Sequence, residues 1–458
     1  MIITVGTLKS KISTDNPELL RALTKLYSFK IPGSEYSPQY RARRWDGKKH
    51  FISRDGSFMS GLLPRILSDL KKIECVPNIK YIEESEEKSI KDYGIDGFTY
   101  YDYQESLINK ALSKKRGVIK SPTGSGKTLI MAGLVKALEG RKMLLLFNAK
   151  QLITQTYDFL TDTCGIENVG ICYGEGYQYG DIMLSTVQSI EKVLDTHGKE
   201  VEVLMVDECH EFCNGKITLP AIQAFPNATY RFGFTATPPS DNIPEYNLEG
   251  ALGSIIEEVD TAELVEKGKL TKPIIQIIER TYFSSGIDES MTYDEVYDTY
   301  IVNNVQRNNI IQEIINDIKG KQERPRILIL TKSLDHGRIL EQMLRPIVWC
   351  RFLEGDNSIG ERYESISRFR QHPEASVLIG TRILQTGINI EEITHLINAR
   401  SLKGKIATIQ ALGRALRKHN TKEHAYIYDF LDKEKYLYKH SKDRIKHYKQ
   451  EGHSVTIL

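Results

Sequence analysis

The chain has 458 residues and lacks the marks of several protein classes. Its longest unbroken apolar run is Met143 to Phe147, far below the ~18 residues that a membrane-spanning helix needs. No transmembrane segment is expected. The opening MIITVGTLKSKISTDNPE carries no basic head followed by a long apolar stretch and a small-residue cleavage site, so no secretory leader is read and a cytosolic protein is expected. Cysteine is sparse: Cys75, Cys164, Cys172, Cys209, Cys213 and Cys350 are scattered, and no two have C-x-x-C spacing. Cys209, His210 and Cys213 crowd into five residues with no second half, a poor zinc pattern, and reduced thiols are the default. Charge of one sign is also missing. Sixty-two Lys and Arg against sixty Asp and Glu leave a formal +2, which excludes a uniformly basic binder. Any nucleic-acid signal must therefore be local.

What is present is globular. Hydrophobic residues make up 40% and charged residues 27% of the chain, a folded composition, and the length suits about three domains. There is no internal repeat of the solenoid kind. Residues 1–81 mix β-like runs at 1–5 and 49–53 with amphipathic helical patterns at 19–27 and 62–72, which predicts a small α+β domain. Residues 82–92, IEESEEKSIKD, are acid-rich, lack apolar periodicity and read as a linker. From 93 to 262, β-like runs at 117–120, 142–147, 181–185, 203–206 and 230–234 alternate with helical patterns at 103–112, 127–138 and 151–160. A second alternating block, 263–432, places strands at 326–330, 347–352, 375–379, 395–398 and 425–428, with helices at 304–319, 333–344, 359–369 and 406–416. Alternation of this kind predicts an α/β fold with two doubly wound parallel sheets in tandem. The hinge between them is expected between about Val259 and Pro273. Residues 433–458 form a basic tail, expected as a terminal helix with one cationic face.

The strongest local signal is Ser121-Pro122-Thr123-Gly124-Ser125-Gly126-Lys127-Thr128, set between the strand pattern of Gly117 to Lys120 and a helix pattern. A strand entering a Gly-rich loop and leaving as a helix turns backbone N–H groups and the helix N-terminus toward a phosphate. Lys127 then reaches the terminal phosphates and Thr128 meets Mg²⁺. Ser121 stands where the usual pattern has its first Gly. In the same block a buried strand ends in Asp207-Glu208-Cys209-His210. Asp207 can hold Mg²⁺, and Glu208 can orient and deprotonate an attacking water. Taken alone, a D-E pair is a solvated turn and His210 a packed or surface histidine.

Thr235-Ala236-Thr237 and Ser185-Thr186-Val187-Gln188-Ser189 set hydroxyls and amides at strand ends, where capping a helix is an equal reading. Gln410, Arg414 and Arg417 recur at i, i+4 and i+7, which predicts one helical face. That face reads either as solvated or as guanidinium groups aimed at a γ-phosphate.

The ordered set Tyr103-Gln104, SPTGSGKT, DECH at 207–210, TAT at 235–237, Glu354-Gly355-Asp356, Thr381 through Thr386-Gly387-Ile388 and QALGRALR resembles superfamily 2 helicases and translocases over about residues 98–430. More narrowly, Tyr36-Ser37-Pro38, Arg44-Trp45-Asp46-Gly47-Lys48, the segment Ser401 to Lys405 and Arg417-Lys418-His419 resemble the phage UvsW-type helicases, which are implicated in branch migration and recombination. The resemblance implies two RecA-like domains, ATP and Mg²⁺ as cofactors, and a bacterial or phage-infected cytosol. It implies that Gln104 reads adenine, that Lys127, Thr128, Asp207 and Glu208 form the hydrolytic centre, and that Arg414 and Arg417 reach the γ-phosphate. It further implies that Gln410 and His210 report nucleotide state across a cleft and that Thr235 and Thr237 couple hydrolysis to strand movement. Strand contacts to phosphate and sugar are implied for Lys150, Gln155, Thr186 and Gln188 in the first sheet, and for Thr331, Ser333, Thr381 and Thr386 in the second.

Arg41, Arg43, Arg44, Trp45, Lys48 and Lys49 fall within nine residues against the single acid Asp46. Interleaved cations and an aromatic ring suit a nucleic-acid surface with a stacking platform. The alternative is a solvated hairpin edge guarded by charge, and the basic tail carries the same two readings. The expected activity is ATP-dependent DNA unwinding or branch migration on branched, forked or single-stranded DNA, with no membrane partner. The rivals are an RNA helicase and the translocase subunit of a restriction system.

Overall fold

The computed structural model describes residues 1–82, 88–198, 200–279, 290–381, 390–419 and 422–458, without the side chains at 359, 405–407, 410 and 414. The chain divides into two compact units, Met1–Ser121 with Gly126–Glu258, and Val259–Leu458 together with Pro122–Ser125.

The first unit starts with a small α+β body. Its four-stranded sheet runs Ser57–Met59, Lys9–Ser13, Ile2–Val5, Asn78–Tyr81. In Lys9–Ser13 burial alternates residue by residue, as a strand with one wet face requires. Helix Pro17–Leu26 begins with Pro at its first position and with the Asn16 side chain accepting from the Glu18 and Leu19 amides. Helix Leu63–Lys72 lays Ile66 and Leu70 on Ile3, Ile12, Leu23, Tyr27 and Phe58.

This small body is docked on helix Asn242–Leu252 of the following sheet domain. Tyr246 packs against Tyr27, Phe29 and Phe51 with ring centroids 5.7, 4.8 and 5.2 Å away. The backbones come close at Gly61, where a Cβ would stand 2.0 Å from the Glu249 carbonyl oxygen. Arg116 of the large sheet donates to the Thr7 carbonyl.

The large sheet of this unit has the strand order Gly176–Gln178, Val169–Tyr173, Ile182–Thr186, Met143–Phe147, Val203–Val206, Tyr230–Thr235, Arg116–Lys120, Ile255–Glu258. Every pairing in it is parallel except the edge hairpin of the first two. Met143–Phe147 and Val203–Val206 are buried at every residue because helices cover both faces. Three strands were not expected: Val169–Tyr173, Gly176–Gln178 and Ile255–Glu258. All three residues of Gly176–Gln178 are exposed, so no apolar pattern announces that strand.

In the second unit, seven strands are ordered Trp349–Leu353, Ser376–Gly380, Arg326–Leu330, His395–Asn398, His424–Phe430, Lys272–Ile278, Val455–Ile457, all parallel. Lys272–Ile278 takes up the residues at the end of the expected hinge and holds Pro273 near its start, where a missing N–H costs least. The basic tail folds as helix Leu437–Gln450 followed by the edge strand Val455–Ile457.

Among the described residues, no helix is long and apolar enough to cross a membrane and no group of His, Cys, Asp and Glu could hold a metal ion as a cluster. Cys209 and Cys213 lie buried in the apolar core of the first large sheet, and burial pushes the Cys213 thiol up to about 11.

Candidate active site and nucleic-acid contacts

Strand Arg116–Lys120 runs into the glycine-rich loop, and helix Lys127–Ala137 leaves it. Gly126 caps that helix at φ 82°, in the left-handed region, and no side chain caps it. The first amides of the helix are thus open toward the loop, an arrangement suited to an anion. A Cβ at Gly126 would stand 2.4 Å from Gln104 Nε2, so glycine is also required by space. Within the loop, Ser125 Oγ donates to the Pro122 carbonyl at 2.7 Å, and the Ser121 amide donates to the Thr235 carbonyl at 3.0 Å.

The charged groups converge below this loop. Lys127 Nζ donates to the Ser121 carbonyl at 3.4 Å and stands 3.6 Å from Glu208 Oε1, with both side chains mostly buried. Glu208 follows the strand Val203–Val206 by two residues and adopts φ 45°, ψ 47°, a left-handed conformation that a branched or long side chain takes only when its surroundings impose it. Its Oε2 is buried and, among the described residues, accepts no hydrogen bond. Burial, then the neighbouring Glu208 charge, lift the Asp207 carboxyl well above the usual carboxylate range despite Lys127. Two crowded acids share one lysine and are short of positive charge, and a hydroxyl, Thr128, follows Lys127 at the helix start. That chemistry fits a small hard dication, which Thr128 and Asp207 would hold.

His210 is buried. Its Nδ1 lies 2.8 Å from Thr235 Oγ1 and 3.4 Å from Glu208 Oε2, and burial holds the imidazole below the usual histidine range despite Glu208. Thr235 Oγ1 also accepts the Thr237 amide at 3.0 Å. The carboxylate, the imidazole and the strand-end hydroxyl thus form one short chain, and Thr235 serves that chain instead of capping a helix. Gln104 is buried with Oε1 accepting the Tyr101 amide at 3.0 Å, so its carbonyl is engaged in starting the helix Asp102–Lys114.

In the second unit, helix Lys405–Ala415 carries Gln410 and Arg414, whose side chains lie outside the described residues. The expectation of one helical face through Arg417 is corrected. The helix ends at Ala415 with Leu416 as its cap, and Arg417 lies beyond it. Thr271 pins this end by donating its amide to Leu416 O at 2.8 Å and its hydroxyl to Arg417 O at 3.2 Å. Arg417 is half-buried, and burial lowers its guanidinium against the pull of Glu391.

The expected strand contacts divide by exposure. Lys150 and Gln188 are exposed and Gln155 is half-buried. Thr186 and Thr331 are buried, Thr186 donating to Ser189 Oγ at 3.3 Å and Thr331 Oγ1 having no hydrogen-bond partner among the described residues. Ser333 caps helix Leu334–Leu344 by accepting the His336 amide at 3.2 Å, the alternative reading for such a hydroxyl. Thr381 is half-buried at the end of Ser376–Gly380, and Thr386 lies outside the described residues.

In the N-terminal body, Arg43 and Arg44 are exposed on a tight loop before strand Lys48–His50, with Arg43 at φ 54°. Trp45 donates its indole N–H to the Lys48 carbonyl at 3.0 Å, and Asp46 accepts the Lys48 amide at 3.1 Å. The loop is therefore held in shape by its own residues while its guanidinium groups face solvent. The docking residues Arg65 and Tyr246 were not singled out from the sequence. An Arg on a short amphipathic helix carries no signal that its partner lies 184 residues on.

Two family descriptions match the chain: "Type III restriction enzyme, res subunit" over residues 97–240 and "Helicase conserved C-terminal domain" over residues 306–419. The chain is 25% identical, over 485 aligned positions, to the ATP-dependent DNA helicase uvsW of Enterobacteria phage T4, covering 95% of this chain and 94% of that protein. It is 23% identical to the DNA 3'-5' translocase XPB2 of Sulfurisphaera tokodaii, over 69% of this chain and 78% of that protein. Among solved structures, it superposes on the ATP-dependent Type ISP restriction-modification enzyme LlaBIII bound to DNA with a TM-score of 0.60 at 15% identity, over 83% of this chain and 33% of that one. That likeness is one of fold.

Proposed function

Since this chain belongs to the superfamily 2 helicases and is an ATP-driven DNA helicase, we propose that it acts on branched or forked DNA arising in replication, recombination or repair. The observation that carries the chemical half of this reading is the Lys127–Glu208 approach of 3.6 Å beneath a helix start with no side-chain cap.

The glycine-rich loop and the first amides of helix Lys127–Ala137 bind the phosphates of ATP, and Lys127 neutralises the terminal ones. Thr128 and Asp207 would hold a Mg²⁺ ion, whose charge would neutralise the phosphate oxygens. Glu208, whose buried Oε2 accepts no hydrogen bond among the described residues, orients the attacking water and takes its proton. Arg414 and Arg417 supply the counter-charge for the γ-phosphate. With carboxylates on one sheet domain and arginines on the other, hydrolysis requires closure and product release permits opening. His210 and Thr235 pass the state of Glu208 to the end of strand Tyr230–Thr235, and Thr237 and Gln410 extend that coupling.

Lys150, Gln155, Gln188, Ser333, Thr381 and Thr386 contact the strand through phosphate and sugar, as a motor indifferent to sequence requires, while the buried Thr186 and Thr331 support the strand ends behind them. The Arg43, Arg44, Trp45 and Lys48 loop reads the branch. Its support is the self-bonded loop that displays two guanidinium groups on a body docked to the first sheet domain.

The test is ATP hydrolysis titrated in parallel with single-stranded DNA, duplex DNA, a four-way junction and single-stranded RNA. The junction is expected to stimulate most, and Trp45→Ala is expected to remove that preference. Equal stimulation by all substrates, or most by RNA, would overturn the branched-DNA reading.

A further inference from the structure

Helix Leu437–Gln450 buries Leu437, Ser441, Arg444 and Tyr448 and turns Lys439, Lys442, Lys446 and Lys449 to solvent. At 100° per residue, those four lysines fall within an arc of about 80° and span about 15 Å of helix. Among the described residues none of the four ammonium groups has a carboxylate at ion-pair distance, and only Lys442 has an aromatic neighbour, the Tyr438 ring at 4.2 Å. The one acid on this helix, Asp443, is half-buried on the flank of the arc. A solvated helix face ordinarily mixes signs. This one does not.

The opposite face explains why the row is stiff. Arg444 is buried with Nε 2.9 Å from Asp429 Oδ2, Nη1 3.0 Å from the Leu402 carbonyl and Nη2 2.9 Å from the Phe430 carbonyl. Tyr448 donates its hydroxyl to Asp429 Oδ2 at 2.9 Å. Asp429 belongs to strand His424–Phe430, and Leu402 lies in the segment that enters helix Lys405–Ala415. The lysine row is therefore fixed to the second sheet and to the segment leading to Gln410 and Arg414.

We infer that the exposed face of helix Leu437–Gln450 is a second DNA-backbone surface, with Lys439, Lys442, Lys446 and Lys449 lying along the phosphates of one DNA arm. This rests on the reading of DNA as substrate. Charge complementarity selects a polyanion, and DNA is the polyanion that the proposed activity brings to this chain. Because the row is fixed to the second sheet, it carries its arm wherever that sheet goes, so the surface adds a grip that advances with the arginine-bearing domain.

The experiment is fluorescence anisotropy of the full chain with a labelled forked duplex between about 50 and 200 mM salt, comparing wild type with the quadruple Lys→Ala variant at 439, 442, 446 and 449. The expected result is affinity lowered roughly tenfold or more and a log–log salt slope reduced by up to about 3.6, the value for four phosphate contacts at about 0.9 each. The melting temperature should be unchanged, and the quadruple Lys→Arg variant should bind as wild type does. A quadruple Ala variant that matches wild type in affinity and slope overturns the inference alone. Loss of binding to labelled polyglutamate with DNA binding intact overturns it too, in favour of an acidic protein partner. A wild-type chain that binds no DNA overturns the reading beneath it.

Discussion

Arg65 Nη2 stands 2.7 Å from Glu249 Oε2, joining the N-terminal body to the helix that follows the Thr235-Ala236-Thr237 strand end. The same guanidinium holds Glu245 at 2.5 Å and lies 4.5 Å from the Tyr246 ring centroid. One arginine thus engages Glu245, Tyr246 and Glu249 of one helix, the first two half-buried, and Glu249 is the partner withdrawn from water. Burial raises the Glu249 carboxyl above its ordinary value even with Arg65 beside it.

Arg65→Ala leaves that carboxylate buried without its cation. Removing one partner of a buried pair costs about 3–5 kcal/mol, and the partial exposure of Arg65 and Glu245 reduces this to about 2 kcal/mol. The sign with pH follows from the acid. A carboxyl raised in the folded state binds more protons there than in the unfolded chain, so stability falls as pH rises above the unfolded value of 4.5. Without Arg65 the rise is larger, so the deficit relative to wild type should widen from pH 4.5 upward. Urea unfolding of both proteins at several pH values measures it, and a deficit independent of pH would refute the pairing as its source.

Glu208→Gln should keep the shape of the site and lose the base. The expected outcome is ATP hydrolysis lowered roughly 10²–10⁴-fold, with nucleotide still bound. Phosphate release and nucleotide titration of the same preparation test the two halves. Brisk hydrolysis by this variant would remove Glu208 from its role.

Gly126→Ala places a Cβ 2.4 Å from Gln104 Nε2 at a φ of 82°. Both the space and the backbone resist it, so the loop must move away from the helix start. Nucleotide affinity should fall by roughly tenfold or more, as binding here rests on aligned amides. The paired variant Gly126→Ala with Gln104→Ala relieves the clash but not the backbone strain, and calorimetric titration should recover only part of the loss.

Thr235→Val keeps the shape of the strand end and deletes the oxygen between His210 and the Thr237 amide. A buried imidazole then lacks that partner, at a cost of about 1–3 kcal/mol. The expected outcome is fewer base pairs opened per ATP hydrolysed, read by measuring unwinding and phosphate release together. An unchanged ratio would leave Thr235 as a purely structural hydroxyl.

The sequence announces those features that are local. The glycine-rich loop is eight contiguous residues whose chemistry follows from backbone geometry, and runs such as Val203–Val206 and residues 327–330 are apolar throughout because both faces are covered. Periodicity carried Arg417 onto a helical face because spacing does not reveal where a helix stops, and here the end is pinned by Thr271, just before the strand Lys272–Ile278. Gly176–Gln178 has no buried side to leave a pattern. The conformation of Glu208 is equally silent in sequence, since nothing about a glutamate forecasts φ 45°.

Arg307 and Asp432, distant in sequence, form an ion pair in which both are wholly buried, with Nε 2.9 Å from Oδ1. Arg307 Nη2 also donates to Ser401 Oγ at 3.0 Å and Nη1 to the Ala399 carbonyl at 3.3 Å, while its guanidinium covers the Phe430 ring at 4.2 Å. Ser401 has φ 48°, so the start of the segment leading into helix Lys405–Ala415 is held in a costly conformation by this arginine and by Asp432. Arg307→Ala should therefore cost about 3–5 kcal/mol, because a buried carboxylate is stranded. Arg307→Met with Asp432→Leu removes both charges and should recover much of that stability without restoring the hold on Ser401. If the Ser401 conformation serves hydrolysis, the double variant will melt near wild type yet turn over ATP more slowly at saturating nucleotide and DNA. A double variant restored in both respects would assign the pair to folding alone.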